Sequence, residues 1–155
     1  MKKIVVAVLC FICSCNSRPI EDCNTPYTID IWDSNATTGY SVFFQINTDS
    51  LIVSMFTDGA KNILVAKALT QTDKNSFCNY LTSFNIDTLK DRYSNPSVDD
   101  GTQQVVILKL GDKKKRTEIL NIYQQNIDGL FDIINNLTAN DKYKIKSKKY
   151  EGRSI

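Results

Sequence analysis

The chain has 155 residues, of which 42% are hydrophobic and 23% are charged, a composition typical of one globular domain and not of a disordered chain. It contains no histidine, which excludes every Ser-His or Cys-His nucleophilic pair and removes the commonest metal ligand. The formal net charge of +2 comes from Lys2 and Lys3, because the rest of the chain carries equal numbers of basic and acidic residues. We therefore expect no cofactor, no metal ion and no nucleic-acid partner.

The N-terminus has the layout of a secretory signal peptide. Lys2 and Lys3 precede an apolar run over residues 4–12. A membrane-spanning helix needs roughly twenty apolar residues, so this run is too short for a permanent anchor. A buried N-terminal strand is the alternative, but two lysines at the start of the chain favour export. We expect residues 1–14 to be removed.

The segment Ile12-Cys13-Ser14-Cys15 resembles the lipobox of bacterial lipoproteins, in which an aliphatic, a variable and a small residue precede the modified cysteine. The resemblance implies that Cys15 receives a diacylglycerol and that its acyl chains hold the protein to a membrane of the cell envelope, expected to be the outer membrane. Its periplasmic and surface faces both remain open. A plain secretory signal with incidental cysteines is the alternative. Residues 15–25 are then the lipidated cysteine and a polar tether.

Two cysteines remain once Cys10, Cys13 and Cys15 are assigned to processing and lipidation. Cys23 and Cys78 can form a disulfide in an exported protein, closing a loop of about 55 residues and contributing roughly 3–4 kcal/mol. Alternatively, Cys78 is a small buried hydrophobe beside Phe77. The spacing does not separate these two interpretations.

In chain order, the body begins with four strand-like runs divided by turn residues. They cover residues 27–32, 40–46, 51–56 and 63–69. Asp58-Gly59 is a strong hairpin signal between the third run and the fourth. Four consecutive strands joined by short turns predict an antiparallel meander.

Helical periodicity then appears twice. The first helix is predicted from an apolar stripe that includes Phe77, Leu81 and Phe84, with Thr72 or Asp73 as its cap, and residues 94–97 read as a loop. A β-hairpin follows over residues 102–110 and 116–123, and a second helix has its stripe over residues 127–137. The alternating tail, residues 142–146, suggests a last edge strand.

This order predicts an α+β fold, with two helices on one face of a mostly antiparallel sheet, in a single domain over residues 26–150. The layout resembles small Bacteroidetes envelope lipoproteins that form a family of unknown function. The resemblance depends on the meander, on Leu89-Lys90-Asp91-Arg92-Tyr93 after the first helix, and on Asp100-Gly101-Thr102 at the start of the next hairpin. It implies a fold and a location but no activity.

Three motifs suggest binding, and each also has a simpler interpretation. Asp99-Asp100-Gly101, with Asp87 and Asp91 upstream, suggests a calcium site, although a solvated turn fits better because the EF-hand pattern is absent. Lys113-Lys114-Lys115-Arg116 suggests a polyanion site or, more simply, a solubilising hairpin tip. Trp32 with Tyr27 and Tyr40 suggests an aromatic ligand platform, although aromatic residues on strands usually pack in a core.

The function that these observations favour is a non-catalytic binding or scaffolding lipoprotein, for which we expect an exposed aromatic or apolar patch on the sheet face that the helices leave uncovered. The first alternative is an immunity lipoprotein that neutralises a toxin from a competing bacterium. A histidine-free envelope enzyme is the least favoured alternative, and we expect no catalytic residues.

Overall fold

The computed structural model describes residues 25–36, 38–97 and 101–145. The predicted signal peptide, Cys15, Cys23, Asp99, Asp100 and the end of the chain from residue 146 lie outside these ranges. Within them the chain forms seven strands and two α-helices. The strands are β1 (Tyr27–Asn35), β2 (Tyr40–Asn47), β3 (Ser50–Thr57), β4 (Ala60–Ala68), β5 (Arg92–Ser94), β6 (Thr102–Leu110) and β7 (Lys113–Leu120). The helices are α1 (Gln71–Ser83) and α2 (Gln125–Leu137).

All seven strands belong to one sheet with the order β4-β3-β2-β1-β6-β7-β5. The first four form the predicted antiparallel meander, and the β6–β7 hairpin adds to the other side of β1. Only the pair β5–β7 is parallel. The prediction of an α+β fold with a mostly antiparallel sheet is therefore confirmed.

Both helices cover the same face of the sheet, which we call the covered face. Alternate residues of the central strands point to it and are fully buried, among them Ile29, Ile31, Phe44 and Leu108. The helices complete this core with their apolar stripes, which contain Phe77, Leu81, Ile127, Leu130, Phe131 and Ile134. The opposite face, which we call the open face, has neither helix packed on it.

The helices begin and end at capping residues. Thr70, not Thr72 or Asp73, caps α1: its hydroxyl accepts from the Asp73 backbone N–H at 3.2 Å, and the Asp73 carboxylate accepts from the Thr70 N–H at 2.9 Å. This reciprocal pair is a capping box. Gly129 lets α2 approach α1, because a Cβ there would lie 3.2 Å from the Tyr80 ring. The Tyr80 hydroxyl also donates to the Asn126 carbonyl.

Four boundaries differ from the sequence predictions. β1 continues through Asp33-Ser34-Asn35, a predicted loop, because these residues pair with both β2 and β6. Ser94, also predicted in a loop, belongs to β5, and β7 begins at Lys113 instead of Arg116. The predicted last strand is wrong over its described residues: Asp141–Tyr143 is a 3₁₀ turn, and Ile145 exchanges backbone hydrogen bonds with the Asn135 side-chain amide.

Candidate binding surface

Three aromatic side chains gather on the open face, and we call them the aromatic patch: Trp32 of β1, Phe43 of β2 and Phe56 of β3. Trp32 follows buried Ile31, and the alternation of strand side chains therefore turns its indole away from the helices. Trp32 and Phe43 are directly opposite in the antiparallel register, so they share a face. Trp32 is 45% exposed and Phe56 is 47% exposed.

The rings of the patch support one another. The Trp32 centroid lies 6.0 Å from that of Phe43 and 6.1 Å from that of Phe56, and the latter two rings are nearly parallel at 5°. Lys61 lies at the rim, with Nζ 5.7 Å from the Phe43 centroid and donating to Gln45 Oε1 at 2.7 Å. Such contacts hold the rings in place before any ligand arrives, which lowers the entropy lost on binding.

The apolar surface extends sideways from the patch across the sheet. Ile63 of β4 is 63% exposed, and Val105 of β6 is half-buried beside Trp32. Ser54 lies between Phe43 and Ile63 in the register, and its buried hydroxyl has no hydrogen-bond partner among the described residues. The open face therefore carries an apolar band from the β4 edge to β6, which is uncommon on a surface exposed to water.

Of the three residues of the predicted platform, only Trp32 lies on the open face. Tyr27 and Tyr40 point to the covered face, since both are in register with its buried strand positions. Tyr27 is buried, with its ring 5.9 Å from that of Phe77, and burial together with the charge of Asp49 raises its pKa to about 12. The register of the meander was the missing signal, because it places Phe43 opposite Trp32.

The basic cluster lies within β7 and not at a hairpin tip, so its side chains alternate between the two faces. Lys113 and Lys115 pair with Asp87 and Asp91, each at 2.6 Å. The Lys115 ammonium lowers the pKa of the Asp91 carboxyl. These two aspartates, considered above as calcium ligands, therefore hold lysines instead. In the described part of the chain no three acidic or cysteine side chains come close enough to hold a metal ion.

The other half of the cluster contributes to the open face. The register places more basic than acidic residues of the antiparallel strands on this face. The basic residues are Lys61, Lys109, Lys114 and Arg116, and the acidic residues are Asp30 and Glu118. Arg116 forms an ion pair with Glu118 at 2.7 Å. The open face is thus aromatic between β1 and β3 and net basic around that patch.

A cavity of about 390 Å³, lined by polar residues together with Tyr40, opens where β1 ends and β2 begins. Asp33 lies in its wall, almost completely buried, and accepts from Gln104 Nε2 at 3.0 Å. Burial, followed by the negative charge of Asp33, raises the pKa of Tyr40 in the same wall to about 12. The Tyr40 hydroxyl donates a hydrogen bond to the Lys142 carbonyl.

The predicted modification sites lie mainly outside the described residues. Cys78 is disulfide-bonded, so it is not a free buried thiol; Cys23 lies outside the described residues, and its pairing with Cys78 stays a prediction. Cys78 lines a groove with Pro26 and Tyr27. None of the described helices has the length and apolar character needed to cross a membrane.

No protein-family model matches the chain, and a search of curated proteins finds no significant similarity to any of them.

Proposed function

We propose that this protein is a lipid-anchored, non-catalytic binding module of the bacterial cell envelope, and that the aromatic patch is its binding surface. The observation that carries this proposal is the exposure of Trp32 and Phe56 on the face that the helices leave uncovered. A soluble domain normally buries aromatic rings, and an exposed cluster with a polar rim is typical of interaction sites.

The size of the patch suits a binding hot spot. Aromatic side chains bury roughly 150–250 Å² each, so covering a half-exposed ring removes about 100 Å² from water. At about 25 cal/mol per Å², each of the Trp32 and Phe56 rings can contribute about 2.5 kcal/mol to a complex before entropic losses. Because the rings are already packed on one another, little side-chain entropy remains to be lost.

The anchor part of the proposal depends on the sequence of the N-terminus. The lipobox-like segment ends at Cys15, and only the short stretch up to Asn24 separates it from the described body. Intact mass of the membrane-extracted protein tests it directly: wild type is expected to lack residues 1–14 and to carry a diacylglycerol-sized addition. Cys15→Ala should lose that addition and leave the membrane fraction. An unmodified wild-type chain that keeps residues 1–14 would refute the anchor.

The binding part is tested by comparing two double variants of the membrane-extracted protein. Trp32→Ser with Phe56→Ser removes the patch, whereas Gln103→Ser with Lys114→Ser changes two exposed residues of the same face outside it. We expect a stoichiometric partner to co-purify with wild type and with the control variant and to be lost from the patch variant. Equal recovery by all three proteins would refute the patch as the binding surface. A toxin as that partner would identify the immunity alternative.

A further inference from the structure

Strand β4 forms one edge of the sheet, next to the aromatic patch. It is nine residues long and pairs with β3 on one side only. Among the described residues no strand or loop donates or accepts a backbone hydrogen bond on its other side. Alternate N–H and C=O groups of β4 therefore face water, as at any open sheet edge. The opposite edge is β5, which has only three residues and offers little length for pairing.

Native sheets usually protect such an edge with charged side chains, and the two lysines of β4 do not do so. Lys61 folds back over the open face onto Gln45 and the Phe43 ring. Lys67 turns to the covered face and pairs with Asp73 of α1 at 3.4 Å. Between them, residues 62–66 contain neither charge nor proline, and a single register shift opposite Val53 and Ser54 is the only irregularity of the pair.

The side chains at this edge continue the apolar band of the open face. Ile63 is the most exposed large hydrophobic residue of the described chain, and it points to the same face as the patch. An added strand would bury the Ile63 side chain and would also satisfy the free backbone groups of β4. Both gains come from one ligand only if that ligand is an extended peptide.

We propose that β4 accepts an extended segment of a partner protein as an eighth strand of the sheet. This inference rests on the proposed binding function and names the form of its partner. The segment carries a branched aliphatic residue beside Ile63 and an acidic residue within reach of Lys61. No carboxylate lies within 4 Å of the Lys61 ammonium in the described part of the chain.

Charge and hydrogen-bonding capacity separate this occupant from the two others that could cover the edge. A second copy of the chain, joined through β4, would place two net basic open faces side by side, which like-charge repulsion disfavours. The hydrocarbon part of a lipid layer cannot hydrogen-bond the open N–H and C=O groups of β4. A partner strand with acidic residues satisfies both the backbone groups and Lys61.

The test uses a tethered probe strand, because a short free peptide would bind too weakly to interpret. The sequence Asp-Thr-Val-Thr-Ile-Thr-Asp is fused behind Ile155 through a flexible Gly/Ser linker, which gives an effective concentration on the order of millimolar. Backbone amide hydrogen exchange, resolved by NMR, reads the hydrogen bonds of β4 directly. A second fusion has proline at the central position of the probe, and a third has lysine at both ends.

We expect alternate amides of residues 60–68 to exchange more slowly with the acidic probe, on the order of tenfold if its effective concentration exceeds Kd tenfold. The slowing should weaken with lysine ends, vanish with the proline probe, and weaken in Ile63→Ser while persisting in the control Gln103→Ser. Unchanged exchange in β4, or equal slowing with the proline probe, would overturn the inference. Because this readout needs neither an anchor nor a native partner, its result is independent of the tests of Cys15 and Trp32.

Discussion

Phe43 and Phe44 are neighbours in β2 and lie on opposite faces of the sheet, so they test the assignment of the faces directly. Phe44 is fully buried under the helices, and truncating it should cost about 3–5 kcal/mol, the usual range for a buried Phe→Ala substitution. Phe43 is half-buried on the open face. It contacts the Trp32 ring and the Lys61 ammonium, contacts that contribute about 0.5–1.5 and 0.5–1 kcal/mol respectively.

We therefore expect Phe43→Ala to lower the free energy of unfolding by about 1–2.5 kcal/mol, and Phe44→Ala to lower it more, by about 3–5 kcal/mol. Urea denaturation at pH 7, followed by circular dichroism with the disulfide intact, gives both values. If Phe44→Ala fails to fold, the pair Phe43→Leu and Phe44→Leu preserves the comparison. The two variants should also differ in function, with binding lost in Phe43→Ala and retained by the folded Phe44 variant.

Equal destabilisation by the two Phe→Ala substitutions would contradict the register that separates the faces. A larger loss for Phe43 than for Phe44 would place the core on the side that we describe as open.

Three further predictions concern the framework that holds the open face. Asp73→Ala removes half of the capping box with Thr70 and should cost about 1 kcal/mol at pH 7. The hydrogen bond from the Thr70 N–H is the largest cause of the lowered pKa of Asp73. In urea titrations, the difference in stability between wild type and Asp73→Ala should therefore disappear as the pH falls from about 4 through the lowered pKa of Asp73 in the folded protein. Cys78→Ser should lower stability by about 2–4 kcal/mol, and reductant should shift the melting temperature of wild type but not of this variant. Gln104→Leu withdraws a buried amide from the Asp33 carboxylate and should cost about 1–3 kcal/mol in thermal unfolding; an unchanged melting temperature would refute it.

The sequence predicted those parts of the fold that local patterns control. The four-strand meander followed from period-two alternation and from the turn at Asp58-Gly59, where both residues adopt positive φ. α2 was predicted from its stripe of apolar residues, and its N-terminus begins after the Gln124 cap. In each case the segment carries its own signal, and neighbouring elements only reinforce it.

Long-range pairing decided the parts that were wrong or missed. β5 has three residues and is held by parallel pairing to β7. β7 follows β5 only after the whole of β6, so the pairing cannot be inferred from neighbouring sequence. Residues 142–145 alternate like a strand, yet the hydrogen bonds between Ile145 and the Asn135 side chain hold this segment against α2. No local pattern reports either contact.

An exposed patch on the open face was expected, but two of its three rings were not predicted. The expected exposed patch lies on the open face, and Trp32 belongs to it, but its ring partners are Phe43 and Phe56. Identifying them required the register between β1 and β2, since a shift of one residue would have turned Phe43 into the core. Cys15 lies outside the described residues, and its lipidation stays a prediction.

The most direct test of a binding module that uses its open face is photo-crosslinking in living cells that express the full chain. p-Benzoylphenylalanine at Phe56 places the reactive group within the aromatic patch, and the same residue at exposed Asn79 of α1 reports on the covered side. We expect one specific crosslinked species in the membrane fraction from position 56, none from position 79, and loss of that species when Trp32→Ser is added. The same crosslinked species from both positions, or one unaffected by Trp32→Ser, would contradict it.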